Sequence, residues 1–126
     1  MRGNRKRDTL PELALRRQVH RAGLRYRVAR RPAPGVGTAD LVFAGPRLAV
    51  FVDGCFWHGC PEHFKLPRTN PGYWGPKIER NRARDAEANE ALGLAGWTVV
   101  RVWEHEDMAS VAKRLVRLVQ SRRKGQ

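Results

Sequence analysis

The stretch FVDGCFWHGCPEHF, from Phe51 to Phe64, holds both cysteines of the chain and two of its four histidines. Cys55, Cys60 and His63 are spaced C-x4-C-x2-H, a compact turn that can aim three soft or borderline donors at one centre. Zn²⁺ takes four such donors in a tetrahedron. His105, just past the last apolar run, is the best candidate for the fourth. Two buried free cysteines beside a surface histidine is the plainer alternative, less favoured when three donors crowd so short a segment. A zinc ion held by four protein ligands has no open position for water, so it would be structural. Reactive chemistry must then lie elsewhere.

Carboxylates supply it. Asp40 opens the run DLVF and Asp53 closes the run LAVFVD. Two carboxylates on neighbouring strand ends make a hard-oxygen site suited to Mg²⁺, which takes one or two carboxylates plus substrate phosphate and keeps its other waters. A turn-capping role for Asp40 after Gly37 is the bland alternative. His58 falls outside the zinc set, and imidazole suits general-base activation of water. Asp85 and Glu12 are candidates to orient it. Each has a structural alternative: Thr9-x-x-Glu12 reads as a capping box, and Asp85 can pair with Arg82 along its helix.

Phe56, Trp57, Tyr73 and Trp74 lie near His58 and near a basic segment carrying Lys77, Arg80, Arg82 and Arg84. Aromatic wedges with arginines on phosphates are a way of opening a duplex. Unaided, these residues point no further than a metal-dependent enzyme or a binding module acting on nucleic acid, with Phe56, Trp57, Trp74, Arg80, Asn81 and Arg84 as the candidate DNA contacts. Trp97 and Trp103 read as core.

Composition agrees with a polyanionic partner. The 126 residues carry 25 Lys and Arg against 12 Asp and Glu, a formal net charge of +13. No apolar run is long enough to span a bilayer, and the basic lead MRGNRKRD is not followed by an apolar signal core, so a cytoplasmic protein is expected. Length suits one domain, residues 9–126, behind a basic lead at 1–8.

Several elements must position these groups. TLPELALRRQVHRAG predicts a helix with an apolar face through Leu13, Val19 and Ala22, ended by Gly23. LRYRVARR, ADLVFAG and RLAVFVDG predict strands, the last two in a hairpin or meander. A helix centred in YWGPKIERNRARDAEANEALGLAG, the strand WTVVRVWE and the helix DMASVAKRLVRLVQSRRK complete the order αβββαβα.

The residues DLVF…LAVFVDGCFWHGCPEH…YWGPKIERNRARD…GWTVVRVWEHE resemble the very short patch repair (Vsr) endonucleases, bacterial DNA mismatch nickases, from about Asp8 to Asp107. The resemblance implies an α/β, restriction-endonuclease-like single domain with a central mixed sheet flanked by helices and a structural zinc. It implies that Asp40 and the backbone carbonyl of Val52 share two Mg²⁺ ions. His58 would activate water and Asp85 would orient it, with Glu12 nearby. The zinc ligands would be Cys55, Cys60, His63 and His105, and Phe56, Trp57 and Trp74 would wedge into DNA. The implied reaction nicks one strand 5′ of the T in a T·G mismatch, the lesion left by deaminated 5-methylcytosine. Asp53 stands where the best-known member has a second histidine, and the basic lead is shorter than in that member. Monomeric action on double-stranded DNA, alongside mismatch-repair proteins, is the expected setting. The alternatives are a sequence-specific or restriction-type endonuclease and a noncatalytic zinc-stabilised DNA-binding module.

Overall fold

Apolar runs too short for helices and rich in Val, Leu and Phe form the sheet. The computed structural model describes residues 10–33, 36–54 and 71–124. Its elements are α1 (Leu10–Arg21), β1 (Arg27–Arg30), β2 (Ala39–Phe43), β3 (Leu48–Asp53), α2 (Pro71–Leu94), β4 (Thr98–Trp103) and α3 (Met108–Lys124). The predicted order is the observed one. Strands lie in the order β1-β2-β3-β4. The first three form an antiparallel meander, with Val28 opposite Leu41 and Leu41 opposite Val50. β3 and β4 are parallel, Leu48 to Asp53 pairing in step with Thr98 to Trp103. A parallel pair needs a long crossover, and α2 lies within it.

Helices cover both faces. Leu15 and Val19 of α1 and Val111, Leu115 and Val119 of α3 pack on Leu41, Phe43, Leu48, Val50, Val100 and Val102. On the other face Leu92 of α2 packs with Val42, Ala49 and Phe51, flanked by Ala88, Trp97 and Val99. β2 and β3, covered on both sides, therefore read as nearly continuous apolar runs with no polar alternation. The result is one α/β domain with a four-stranded mixed sheet between helices.

The inward face of α1 differs from the expected one. Leu13 is 38% exposed and Ala22 is exposed, whereas Glu12, Leu15 and Val19 are buried. Positions 12, 15 and 19 form one helical stripe, so Glu12 points into the protein along with the leucine and valine. Trp97 is half-buried against the Leu92 cluster, and Trp103, also half-buried, instead faces the polar cleft at the end of β4.

Local chemistry fixes the helix ends. Gly23 and Gly96 have φ of +81° and +89°, and the next amides reach back to Val19 and Leu92, closing α1 and α2 with a left-handed glycine. Asp107 precedes α3. The Ser110 hydroxyl donates to its carboxylate at 2.8 Å and, with the first helical amides, holds its carboxyl below the usual range.

One end of the sheet is tied shut. The Arg122 guanidinium donates to the carbonyl of Pro46, to Thr98 Oγ1 at 2.7 Å and to the Gly96 carbonyl at 3.2 Å. The last helix is thereby pinned to the β2–β3 turn and to the turn that precedes β4. The opposite end, where β3 and β4 finish, carries the polar groups.

Candidate active site

β2 departs from regular alternation at Asp40. Leu41 packs on the α1/α3 face and Ala39 on the α2 face, although residues two apart should share a face. Across the β1–β2 pairing, Ala29 stands opposite Asp40 with φ +53°, a left-handed backbone uncommon for a residue with a side chain. The described β2–β3 pairing ends at Leu41 and Val50, and beyond it the Val52 amide donates to Asp40 Oδ2 at 2.6 Å. A carboxylate thus replaces a strand carbonyl at the point where the ladder ends.

Burial pushes the Asp40 carboxyl up to about 7, against the Val52 amide, which favours its charged form. The charge of Glu12, a hydrogen bond shared with Glu12 and the charge of Asp53 push the same way. Glu12 is 5% exposed and has Arg16 Nη2 at 3.5 Å from Oε1. Glu12 stands on the inward stripe of α1, where its carboxylate meets Asp40, and Thr9, the other half of the capping-box alternative, lies outside the described residues. Two crowded, poorly hydrated carboxyl groups are chemically suited to a divalent cation. Among the described residues no group of three or more His, Cys, Asp or Glu is placed to hold a metal. Mg²⁺ requires fewer, since one or two carboxylates plus phosphate and water suffice.

Asp53 has a different environment. It is buried, and Arg101 Nη1 of β4 lies 3.1 and 3.3 Å from its two carboxylate oxygens. The same nitrogen is 3.5 Å from Asp85 Oδ1 of α2, and Arg101 Nε donates to Asn89 Oδ1 at 2.6 Å. The guanidinium carbon stands 4.2 Å from the centre of the Phe51 ring. Asp53, Arg82, Asp85, Asn89, Arg101 and Trp103 help line a cleft of about 240 Å³. Asp40 and Asp53 are thus neighbours at one end of the sheet, Asp40 turned to Glu12 of α1 and Asp53 to Arg101.

Arg101 and Asn89 are absent from the residues singled out by sequence. The signal was there: an arginine inside TVVRVW, on a strand bounded by valines, requires a counter-ion, and Asp53 ends another apolar run.

Along α2 the half-buried or buried positions Trp74, Ile78, Asn81, Asp85, Asn89 and Leu92 form one stripe, whereas Arg80 and Arg84 are exposed. Asn81, grouped with the two arginines by sequence, therefore shares the side of Asp85. Trp74 meets the Tyr73 ring edge-on at 4.9 Å, and Tyr73, 55% exposed, has Lys77 Nζ 5.2 Å from its centroid. His105 is exposed in the turn after β4, which is held by the Glu104 amide on the Asp53 carbonyl at 3.0 Å. Cys55, Phe56, Trp57, His58, Cys60 and His63 lie outside the described residues.

Comparison with known proteins sets this arrangement in context. The family model described as "DNA mismatch endonuclease Vsr" matches residues 1–63. The type II nicking enzyme V.NaeI of Lentzea aerocolonigenes is 46% identical over 119 residues, spanning 92% of this chain and 72% of the relative. V.XorIIP of Xanthomonas oryzae pv. oryzae, also a type II nicking enzyme, is 45% identical over 114 residues, 88% of this chain and 82% of its own. The DNA mismatch endonuclease Vsr of Escherichia coli (strain K12) is 37% identical over 105 residues, 82% of this chain and 66% of its own.

Sheet, carboxylate cluster and relatives together define a DNA endonuclease, a hydrolase of phosphodiester bonds. Within that class the chain belongs to the Vsr family.

Proposed function

We propose that this protein nicks one strand of double-stranded DNA on the 5′ side of the thymine in a T·G mismatch, by Mg²⁺-dependent hydrolysis. The observation that carries the reading is the Asp40 carboxyl at the end of the sheet, desolvated by burial and crowded by Glu12 of α1 and by Asp53, a setting suited to a divalent cation. Asp40, with the Val52 carbonyl as backbone donor, would hold the two Mg²⁺ ions of this reading. When bound, Mg²⁺ supplies positive charge to the phosphate and lowers the pKa of coordinated water.

The chain's own residues do the rest. His58 takes a proton from the attacking water as the new O–P bond forms. The bond to the 3′ oxygen breaks, leaving a 5′-phosphate and, after that oxygen takes up a proton, a 3′-hydroxyl. Asp85 orients His58, and Glu12 buttresses Asp40. Phe56, Trp57 and Trp74 enter the stack at the mismatch, where less pairing and stacking is lost than in intact duplex. Arg80 and Arg84 meet phosphates, and Asn81 completes the basic helix's contribution. Asp53 is an acidic group of the same site, held by Arg101.

A structural Zn²⁺ fits the donor chemistry of Cys55, Cys60, His63 and His105. In support, Asp53 is in register with Trp103, so the chain enters the Cys55 segment beside the turn that bears His105. The protein works as a monomer in the bacterial cytoplasm, ahead of resynthesis and in company with mismatch-repair proteins. Among the described residues no helix is long and apolar enough to cross a membrane. Residues 1–8 serve as a basic lead to the domain at 9–126.

The names of several relatives, type II nicking enzymes, favour a second reading in which an intact sequence is nicked. One experiment separates the two. A labelled duplex with a single T·G pair and its T·A control are incubated with protein in Mg²⁺ and in EDTA. Mg²⁺-dependent nicking of the mismatched strand alone, lost in Asp40→Asn with DNA binding retained, is expected. Equal cutting of both duplexes selects the second reading, and an unimpaired Asp40→Asn rejects the assigned site.

A further inference from the structure

We propose that Arg101 is a positioning residue, which gathers Asp53 and Asp85 into one ionic cluster and thereby sets the carboxylate that orients His58; this rests on the proposed role of Asp85. One guanidinium nitrogen is within 3.1–3.5 Å of oxygens from both carboxylates. Its Nε is committed to Asn89, one helical turn after Asp85, so the group is held to α2 at two points. Phe51 covers its face at 4.2 Å. The Arg101 side chain is 18% exposed and that of Asp53 10%, which keeps the cluster largely out of water. Strands β3 and β4 and helix α2 are therefore linked by a single planar cation at the cleft that contains Asp85.

Charge explains why a cation is required. Without Arg101, Asp53 would be a buried carboxylate with a second carboxylate on the far side of the vacated space, and both would lose their shared counter-ion. Asp85, the more exposed at 23%, is the one able to turn away into solvent. The orienting carboxylate would then be lost from its place with no change in the surface that meets DNA. Lysine cannot substitute fully, because a compact ammonium cannot pair with two carboxylates, bond Asn89 and lie over Phe51 together.

The test measures single-strand nicking of the T·G duplex, over a range of DNA concentrations and at saturating Mg²⁺, by wild type, Arg101→Gln, Arg101→Lys, Asp85→Asn and the Asp85→Asn/Arg101→Gln pair. Arg101→Gln is expected to lower kcat about tenfold or more while KM stays within about threefold, with Arg101→Lys intermediate. Because Arg101 acts through Asp85, the double variant should be no slower than Asp85→Asn alone. A kcat for Arg101→Gln close to wild type, a loss carried mainly in KM, or single losses that multiply in the double variant would each overturn the proposal. If circular dichroism shows Arg101→Gln unfolded, Arg101→Lys decides: reduced kcat at unchanged KM sustains the proposal, and wild-type kcat rejects it. A silent wild type, by contrast, refutes the mismatch-nicking reading itself.

Discussion

Asp40 is held in a place that suits a cation better than it suits an isolated carboxylate. Its Oδ2 accepts the Val52 amide, yet burial and the nearby charges of Glu12 and Asp53 push its carboxyl up to about 7. The sign of the consequence follows from proton linkage. Between about pH 4 and 7 the folded, metal-free protein keeps a proton that the unfolded chain has lost, so stability declines as pH rises, by at most about 1.4 kcal/mol per pH unit. Asp40→Asn keeps an acceptor for Val52 and discards the charge. In EDTA its Tm should exceed that of wild type at about pH 8, and the gap should narrow toward about pH 5. Parallel melting curves at both pH values would remove the strain from Asp40. The site residue is thus expected to cost stability where it supplies function.

At the scale of elements, the two ends of the sheet have separate tasks. At the closed end Arg122 links α3 to the β2–β3 turn and to the residues around Thr98 through three acceptors. Arg122→Ala should lower stability by about 1–3 kcal/mol in a denaturant titration, since carbonyls lose a charged donor. Nicking kcat should hold, because the clamp lies at the opposite end from Asp40 and Asp53; a matching fall in kcat would show that the two ends are coupled. At the open end the proposed zinc would join the segment after β3 to the turn after β4. Metal analysis of the purified protein should find about one Zn²⁺ per chain, and Cys60→Ser should lose both the metal and part of the thermal stability. A metal-free, fully stable wild type would return Cys55, Cys60, His63 and His105 to the bland reading.

At the scale of the whole molecule, charge is unevenly placed. The net charge of +13 coexists with an acidic cluster of Glu12, Asp40, Asp53 and Asp85 gathered at one end of the sheet. Basic groups outside can hold a phosphate backbone, and the proposed reading gives the acids inside the metal, a division suited to cutting DNA. The element order αβββαβα and the class of partner were readable from the chain, because hydrophobic periodicity, glycine ends and net charge are local or additive properties. So were Asp40 and Asp53 as neighbours, since each marks the end of an apolar run on adjoining strands. What the sequence alone did not decide was which way side chains turn. Leu13 and Leu15 are equally apolar, and only docking on the sheet chose the stripe of Leu15 as the inward one, which carries Glu12 in with it against Asp40. Arg101 and Asp53 are 48 positions apart, and their pairing arises from parallel register and from α2 folding over the strand ends. Pairings of that kind are set by the tertiary fold, because burial obliges a charge to find whatever partner the packed elements deliver.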